Sequence, residues 1–182
     1  TLQWQDITIN EFVAANKDSI GGIADADGEF DDWIELYNNT NQAIDLTGYF
    51  LTDKLNQPLK WTFPPNTIIE DNDYLIVWAD EDGMQEGLHA NFKLSASGEE
   101  LFLVNPDTMI IDEITFGEQK TDISYARTPN GTGTFAFKTP TFNGNNDYGT
   151  TSLQEIDFAT NELLIFPNPA NSHLTVQINN QA

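Results

Sequence analysis

The feature that most constrains the fold of this chain is the close alternation of short apolar runs with turn-forming residues. Runs rich in Ile, Val, Phe, Tyr and Trp are separated by clusters of Asn, Asp, Gly and Pro. No stretch keeps a helical period through three turns, and a cluster such as Pro64-Pro65-Asn66 cannot continue a strand ladder. The pattern predicts an all-β fold of about nine short strands packed as a two-sheet sandwich.

The strand faces can be read from period-2 alternation. In the second run Ile34 and Leu36 share one face, while Trp33, Glu35 and Tyr37 share the other, which predicts a half-buried antiparallel strand. A later run is apolar at every position, so we expect it to lie centrally with both faces covered. The predicted strands are Ile7–Ala14, Trp33–Tyr37, Tyr49–Thr52, Lys60–Phe63, Tyr74–Ala79, Glu100–Val104, Ile110–Phe116, Ser124–Ala126 and Phe135–Lys138.

A polar, glycine-rich stretch divides the chain. Residues Asn143 to Thr151 have the composition of a flexible linker. We therefore expect a β-sandwich domain at 1–142, a linker at 143–162 and a separate segment at 163–182. The chain starts at Thr1 rather than at a methionine, and we interpret it as a fragment of a longer protein.

Several motifs in a fixed order resemble the lamin-tail domain family. They are Ile9-Asn10-Glu11-Phe12, Asp32-Trp33-Ile34-Glu35-Leu36-Tyr37-Asn38, Ile44-Asp45-Leu46-Thr47-Gly48-Tyr49, Lys60-Trp61-Thr62-Phe63-Pro64, Tyr74-Leu75-Ile76-Val77-Trp78-Ala79-Asp80, the run Asn91 to Glu99, and Asp112 to Gly117. The resemblance implies an immunoglobulin-like β-sandwich that serves as an interaction or scaffolding module, often joined in bacterial proteins to enzymes or adhesive regions.

The end of the chain resembles a second family. Phe166-Pro167-Asn168-Pro169-Ala170, followed by the alternating run Leu174 to Ile178, is similar to the opening of the C-terminal sorting domain of type IX secretion. That resemblance implies export across the outer membrane of a Gram-negative bacterium. We therefore expect a secreted or cell-surface protein.

The charge balance excludes some partners. Asp and Glu number 29 against 7 Lys and Arg, which gives a formal net charge of -22. Such a field repels nucleic-acid phosphates and anionic lipid head groups. No apolar run approaches the ~20 residues of a membrane-spanning helix, and the absence of cysteine excludes disulfides and thiolate metal sites. We expect neither nucleic-acid binding nor membrane insertion.

Two acidic loops are candidate calcium sites, because hard cations prefer carboxylate oxygens. The first loop offers Asp25, Asp27, Glu29, Asp31 and Asp32, arranged around a glycine, but it lacks the full EF-hand spacing. The second offers Asp80 and Asp82, with Glu86 nearby. If the loops converge, Asp80 is the expected bridging ligand and Asn16 a neutral one. The alternative is a pair of solvated acidic loops that only confer solubility.

No motif indicates catalysis. A nucleophile elbow and a phosphate-binding glycine loop are both absent, and neighbouring acids such as Asp31 and Asp32 point to opposite faces of a strand. His89 and His173 lack the spacing of a zinc site, so we expect His89 to bond its local backbone. These observations predict a module that is not an enzyme.

The expected partner is an extracellular protein or polysaccharide. The main hypothesis is a non-catalytic interaction module, with calcium as the one expected cofactor. The alternative is a carbohydrate-binding accessory module that stacks aromatic rings on sugars. Trp33 and Tyr37 are the candidates for an exposed aromatic face, whereas Trp61 and Trp78 are expected in the core.

Overall fold

The structure is a computed structural model that describes residues 6–17 and 21–147, and all regular structure in these residues is β. The strands are β1 (Ile7–Val13), β2 (Asp32–Asn38), β3 (Ile44–Asp45), β4 (Phe50–Thr52), β5 (Trp61–Thr62), β6 (Ile68–Ile69), β7 (Tyr74–Ala79), β8 (His89–Ala90), β9 (Glu99–Val104), β10 (Ile110–Phe116), β11 (Ser124–Thr128) and β12 (Thr134–Lys138). Within the same residues no helix is long and apolar enough to cross a membrane.

Two sheets of unequal size form the sandwich. The larger sheet has the order β12-β11-β1-β2-β7-β8, and the smaller has the order β10-β9-β4-β5, while β3 and β6 form a separate pair. Pairing is antiparallel except between β7 and β8. Apolar side chains from both sheets, including Ile9, Ile34, Leu51 and Leu103, meet in one buried core. The predicted immunoglobulin-like β-sandwich is confirmed.

All nine predicted strands are present, with ends that differ by one or two residues. The sequence analysis missed β3, β6 and β8, each of which has two residues. Two residues are too few to show alternation, and these three strands, unlike β5, were not marked by the runs used to place strands.

The prediction that β7 lies centrally with both faces covered is only partly right, since β7 lies between β2 and β8 and only its second half is buried. Only the short strand β8 lies beyond it in the sheet, and Tyr74, Leu75 and Ile76 are half-buried. Its apolar outer face is instead covered at one end, where Trp78 contacts the ring of Phe142 at 5.8 Å. The unbroken apolar run of β7 is therefore explained in part by Phe142, which packs on its outer face, and not by a central place in the sheet alone.

A bulge in β1 sets which side chains face the core. The pairing of β1 with β2 shifts between Ile9 and Glu11, so Asn10 is the extra residue. Ile7 and Ile9 face the core before the bulge, and Phe12 faces it afterwards. The shift turns Glu11 to the opposite, outer face of the sheet, next to Glu35 of β2.

Part of the outer face of the larger sheet is covered by the segment that follows β12. We call residues 139–147 the strap. Phe142 of the strap meets Trp33 edge to face, with ring centroids 5.1 Å apart, and Trp33 is fully buried. The prediction that β2 is half-buried, with Trp33 exposed, is therefore wrong. Alternation along β2 was correct, but its outer face is covered at Trp33 and remains half-buried at Tyr37.

Two buried carboxylates hold the strap on this face. Glu11 accepts hydrogen bonds from the backbone N–H of Thr141 (3.0 Å), from the Thr141 hydroxyl (2.7 Å) and from the Phe142 N–H (3.2 Å). Glu35 accepts one from the Asn143 N–H at 2.6 Å. Both glutamates are fully buried, so these donors replace the water that the carboxylates lose.

Asparagines complete the network. Asn10 donates to Glu35 through Nδ2 (2.9 Å) and accepts from the Gly131 N–H through Oδ1 (2.8 Å). Asn146, also fully buried, donates to the Asn10 carbonyl at 3.1 Å. Gly131 is required at its position, because a Cβ there would lie 2.0 Å from Asn39 Oδ1.

The strap overlaps the start of the predicted linker. The residues from Asn143 to Asp147 lie on the sheet, held by the contacts of Asn143 and Asn146. The rest of the predicted linker, the sorting segment 163–182 and His173 lie outside the described residues.

Replacing Thr141 with Val tests the attachment of the strap. The change keeps the side-chain shape but removes the hydroxyl that donates to Glu11, and we expect a loss of about 2 kcal/mol of unfolding free energy. Thr134→Val on the exposed side of β12 is the matched control and should change it by less than about 0.5 kcal/mol. Equal urea-unfolding midpoints for the two variants would contradict the role of Glu11.

The same network predicts how stability depends on pH. Burial, followed by the charge of Glu11, raises the pKa of Glu35 to about 8. The folded state then holds a proton that the unfolded state releases near pH 4.3, so Glu35 lowers stability as the pH rises from about 5 to 8, on the order of a few kcal/mol. Urea unfolding in EDTA should show this fall, and Glu35→Gln should make it smaller by the part that Glu35 contributes. A wild-type unfolding free energy that rises over this pH range would contradict the prediction.

Candidate metal centre

The two predicted acidic loops meet at one end of the larger sheet. Because β2 and β7 are antiparallel, with Asp32 opposite Ala79, the loop that leads into β2 lies beside the loop that leaves β7. The parallel pairing of β8 with β7 adds His89 at the same end, opposite Trp78. The register of three strands therefore brings together groups that are far apart in sequence.

The first loop folds around the carboxylate of Asp25. Its Oδ1 accepts hydrogen bonds from the N–H groups of Asp27 (3.0 Å) and Glu29 (2.8 Å), and the Asp25 N–H donates to the Glu29 carbonyl at 2.9 Å. Gly28 makes this turn with φ of 86°. The turn fixes Asp25 in place and leaves its Oδ2 facing away from these donors.

Five ionisable side chains converge in two overlapping groups. In one group, ligand atoms of Asp25, Glu29 and Asp31 all lie within 4.8 Å of one another. In the other, atoms of Asp25, Asp80 and His89 do so. Asp25 belongs to both groups and therefore lies at the centre of the cluster.

Two oxygens at this cluster have lost water without gaining a donor. Asp25 Oδ2 and Gln85 Oε1 are shielded from solvent and accept no hydrogen bond from the described residues. Gln85 borders the cluster, since its Nε2 donates to Glu29 Oε2 at 2.7 Å. A buried acceptor without a donor costs about 1–3 kcal/mol, and more for a charged group. A cation would supply what these oxygens lack.

His89 has only acceptors around its ring nitrogens. Nδ1 lies 2.5 Å from Asp80 Oδ2, and Nε2 lies 3.1 Å from the Glu86 carbonyl oxygen. Burial alone would lower the pKa of His89, but the hydrogen bonds to Asp80 and Glu86 raise it overall. Two acceptors require two N–H donors, so the ring fits best as an imidazolium paired with Asp80.

The other predicted ligands do not join these groups. Asp27 and Asp82 are exposed, and their N–H groups donate to Asp25 and Asp80 respectively. Asp32 accepts from the Asn16 N–H at 3.2 Å. Glu86 contributes its carbonyl to His89. The prediction that these carboxylates all converge is therefore too broad.

Asn16 has a structural role rather than the predicted ligand role. Its Oδ1 accepts from the Ile23 N–H at 3.0 Å, and its Nδ2 donates to the carbonyls of Ile23 (2.5 Å) and Asp31 (2.8 Å). All its polar atoms are thus used in closing the loop from residue 16 to residue 31. The amide shapes the loop that presents Asp25, Glu29 and Asp31.

Two acids, Asp31 in the cluster and Asp32 beside it, lie where the surroundings disfavour their negative charge. Burial and then the nearby carboxylate of Asp80 raise the pKa of Asp31. Burial raises the pKa of Asp32 to about 6. A bound cation would reverse this effect, because an adjacent positive charge favours the ionised carboxylate.

Sequence reasoning missed Gln85 and assigned His89 only a backbone contact. His89 does contact the Glu86 carbonyl, as expected, but its other nitrogen faces Asp80. That contact depends on β8, which the sequence did not reveal. Gln85 carries no sequence signal at all, since an exposed-looking glutamine in a loop has no characteristic pattern.

The aromatic residues assigned to sugar stacking are separated by the fold. Trp33 lies beneath Phe142, whereas Tyr37 is half-buried and contacts Tyr74 with ring centroids 4.8 Å apart. Trp78 is buried, as expected, and Trp61 is half-buried against the core. Alternation places Trp33 and Tyr37 on one face, but the strap covers only the end of that face that carries Trp33.

The chain matches a known protein family. The family model described as the lamin tail domain matches residues 3–118. A search of curated proteins finds no match. The matched range includes the whole acidic cluster, together with Glu11 and Glu35, and ends before β11, β12 and the strap.

Proposed function

Because this chain belongs to the lamin tail domain family, we propose that it works as a non-catalytic interaction or scaffolding module of a larger secreted bacterial protein, stabilised by a calcium ion at its acidic end. The family is a non-enzymatic, immunoglobulin-like one. Fold alone does not fix function, so the proposal depends on the chemistry of the cluster.

The unsatisfied oxygens carry the calcium part of the proposal. Asp25 Oδ2 and Gln85 Oε1 are buried acceptors that lack donors, and they belong to a region where Asp25, Glu29 and Asp31 already approach within 4.8 Å. Repulsion among these carboxylates disfavours the closed loop in the absence of a cation. An ion that binds all of them would offset that repulsion and the desolvation together.

Calcium fits the donor set better than zinc does. The candidate ligands are oxygens of Asp25, Glu29, Asp31 and Gln85, with Asp80 at the margin, and calcium takes 6–8 oxygen ligands in flexible geometry. Zinc favours neutral histidine and thiolate, whereas His89 is best placed as a doubly protonated ring. In this proposal His89 fixes Asp80 and does not bind the ion.

The location outside the cell rests on two supports. The segment 163–182 resembles a type IX sorting domain, which favours export. Extracellular calcium modules bind at about 10⁻⁴–10⁻³ M, so a partly exposed site with few ligands would be filled there. The proposed partner is an extracellular protein. The carbohydrate-binding alternative has lost Trp33, one of the two residues assigned to it.

Thermal unfolding of the metal-stripped protein tests the calcium proposal. A ligand that binds only the native state raises the midpoint, by about 2.7 kcal/mol of stability at a hundredfold excess over Kd, or about 5–10 °C. Calcium should produce this rise, whereas magnesium and sodium chloride at matched ionic strength should not.

Two isosteric variants of one loop provide the control. Asp25→Asn removes charge at the centre of the cluster, and Asp27→Asn removes the same charge from an exposed neighbour outside it. We expect the calcium response to disappear in the first and persist in the second. If both variants reduce it equally, or if sodium chloride reproduces it, the acids act by diffuse screening and the proposed site is wrong.

A further inference from the structure

The larger sheet extends beyond the smaller one on one side. The smaller sheet begins at β10, which packs against β1, so β11 and β12 project past its edge. Tyr125 and Phe135 stack with ring centroids 5.4 Å apart, and Phe137 continues the row at 5.1 Å from Tyr125. Phe137 is 41% exposed. If a fifth strand extended the smaller sheet beyond β10, this aromatic face would be buried beneath it. Without such a strand the face is partly exposed to solvent.

A groove follows this step between the sheets. It has a volume of about 450 Å³, within the range of cavities that hold ligands. Its lining residues are Glu113, Ile114, Tyr125, Arg127, Thr132, Gly133, Thr134 and Phe135. The wall from β10 and the floor from β11 and β12 thus bring three apolar side chains, Ile114, Tyr125 and Phe135, to one shared space.

The β10 edge offers backbone as well as side chains. Within residues 6–17 and 21–147, β10 pairs only with β9, so its other edge has no strand partner. Below that edge Arg127 Nη2 donates to both carboxylate oxygens of Asp112, each at 2.9 Å, and Arg127 lies over the ring of Phe135. A charged pair pointing inward is one of the features that protect edge strands from indiscriminate pairing.

We propose that β10 and the aromatic face of β11 and β12 form a binding groove for an extended peptide segment of another protein, which adds to the smaller sheet as a fifth strand. Alternate apolar side chains of that segment would point down onto Tyr125, Phe135 and Phe137. Strand addition of this kind draws affinity from the main chain and specificity from alternate side chains.

Charge predicts the side chains of the partner segment that point away from the groove. On the outward side of this edge Glu113 and Thr115 are exposed, and Glu100, opposite Thr115, is also exposed. Opposite charges across a strand pair are favourable and like charges are not. With a net charge of -22 the whole chain attracts cations as well. The segment should therefore alternate apolar residues with Lys or Arg.

This inference rests on the proposed interaction function and supplies its partner class, but it does not depend on calcium. The groove lies on β10, β11 and β12, whereas the acidic cluster is formed by the loops before β2 and after β7. Measuring peptide binding and the calcium response on the same samples keeps the two apart. A calcium response without peptide binding contradicts the groove alone.

The probe is a short acetylated peptide in which Lys and Val alternate, titrated into the isotope-labelled 182-residue chain in EDTA. The control peptide has the same composition arranged as a block of Lys and a block of Val. We expect saturable binding of the alternating peptide, about tenfold tighter than that of the block peptide, with amide shifts centred on Glu113 to Thr115. Methylating the peptide nitrogens that face β10 should abolish it.

A pair of protein variants tests the floor of the groove. Phe137→Ser removes an exposed ring of the aromatic row, and Ala136→Ser changes the exposed opposite face of the same strand. The first should weaken peptide binding about tenfold and the second should leave it unchanged. Because both positions are exposed, unfolding midpoints near that of the wild type establish that each variant is folded.

Three results would overturn the proposal. Equal binding of the alternating and block peptides would show charge attraction alone. Amide shifts centred on Asp25 to Asp32 would place the peptide at the acidic loop instead. An absence of peptide binding, with amides of β11 and β12 shifted by a soluble oligosaccharide, would make the aromatic row a sugar-binding surface.

Discussion

The placement of two buried carboxylates determines how the rest of this domain is arranged. Glu11 and Glu35 lie side by side on β1 and β2, in the middle of the larger sheet and away from its core. Such a pair is tolerated only if donors replace water. The strap supplies three N–H groups and a hydroxyl, and in doing so brings Phe142 over Trp33 and Trp78. The need of Glu11 and Glu35 for hydrogen-bond donors thus positions Phe142 in the second, smaller apolar cluster of the domain.

The same kind of side chain behaves differently at the end of the sheet. Each carboxylate oxygen of Glu11 has a donor, whereas Asp25 has donors only at Oδ1. Neighbouring Asp31 adds negative charge rather than a donor. The chain satisfies Glu11 completely and leaves the half-buried Asp25 with one shielded oxygen that has no donor, and this difference is the main support for the proposed cation. In the calcium proposal this contrast, more than the number of acids, is the reason to favour a metal site over a solubility feature.

The sequence predicts local structure well and contacts across the fold less well. Alternation and turn residues identify every strand longer than two residues, because these signals are local. Sequence also selects Asp25, Glu29, Asp31 and Asp80 as candidate ligands. It does not reveal that Trp33 is covered, since the covering residue is 109 positions away (142 - 33) and no period links them. The contact of Gln85 with Glu29 and the contact of His89 with Asp80 likewise depend on the register of β2, β7 and β8.

Native-state hydrogen exchange of the strap tests most directly the claim that buried carboxylates make it part of the domain. The amides of Thr141, Phe142 and Asn143 lie in a segment without regular structure, so only their bonds to Glu11 and Glu35 would protect them. We predict protection close to that of the β1 and β2 amides, which open only with the whole domain. Exchange at the rate of an unprotected loop, while β1 and β2 remain protected, would contradict the account.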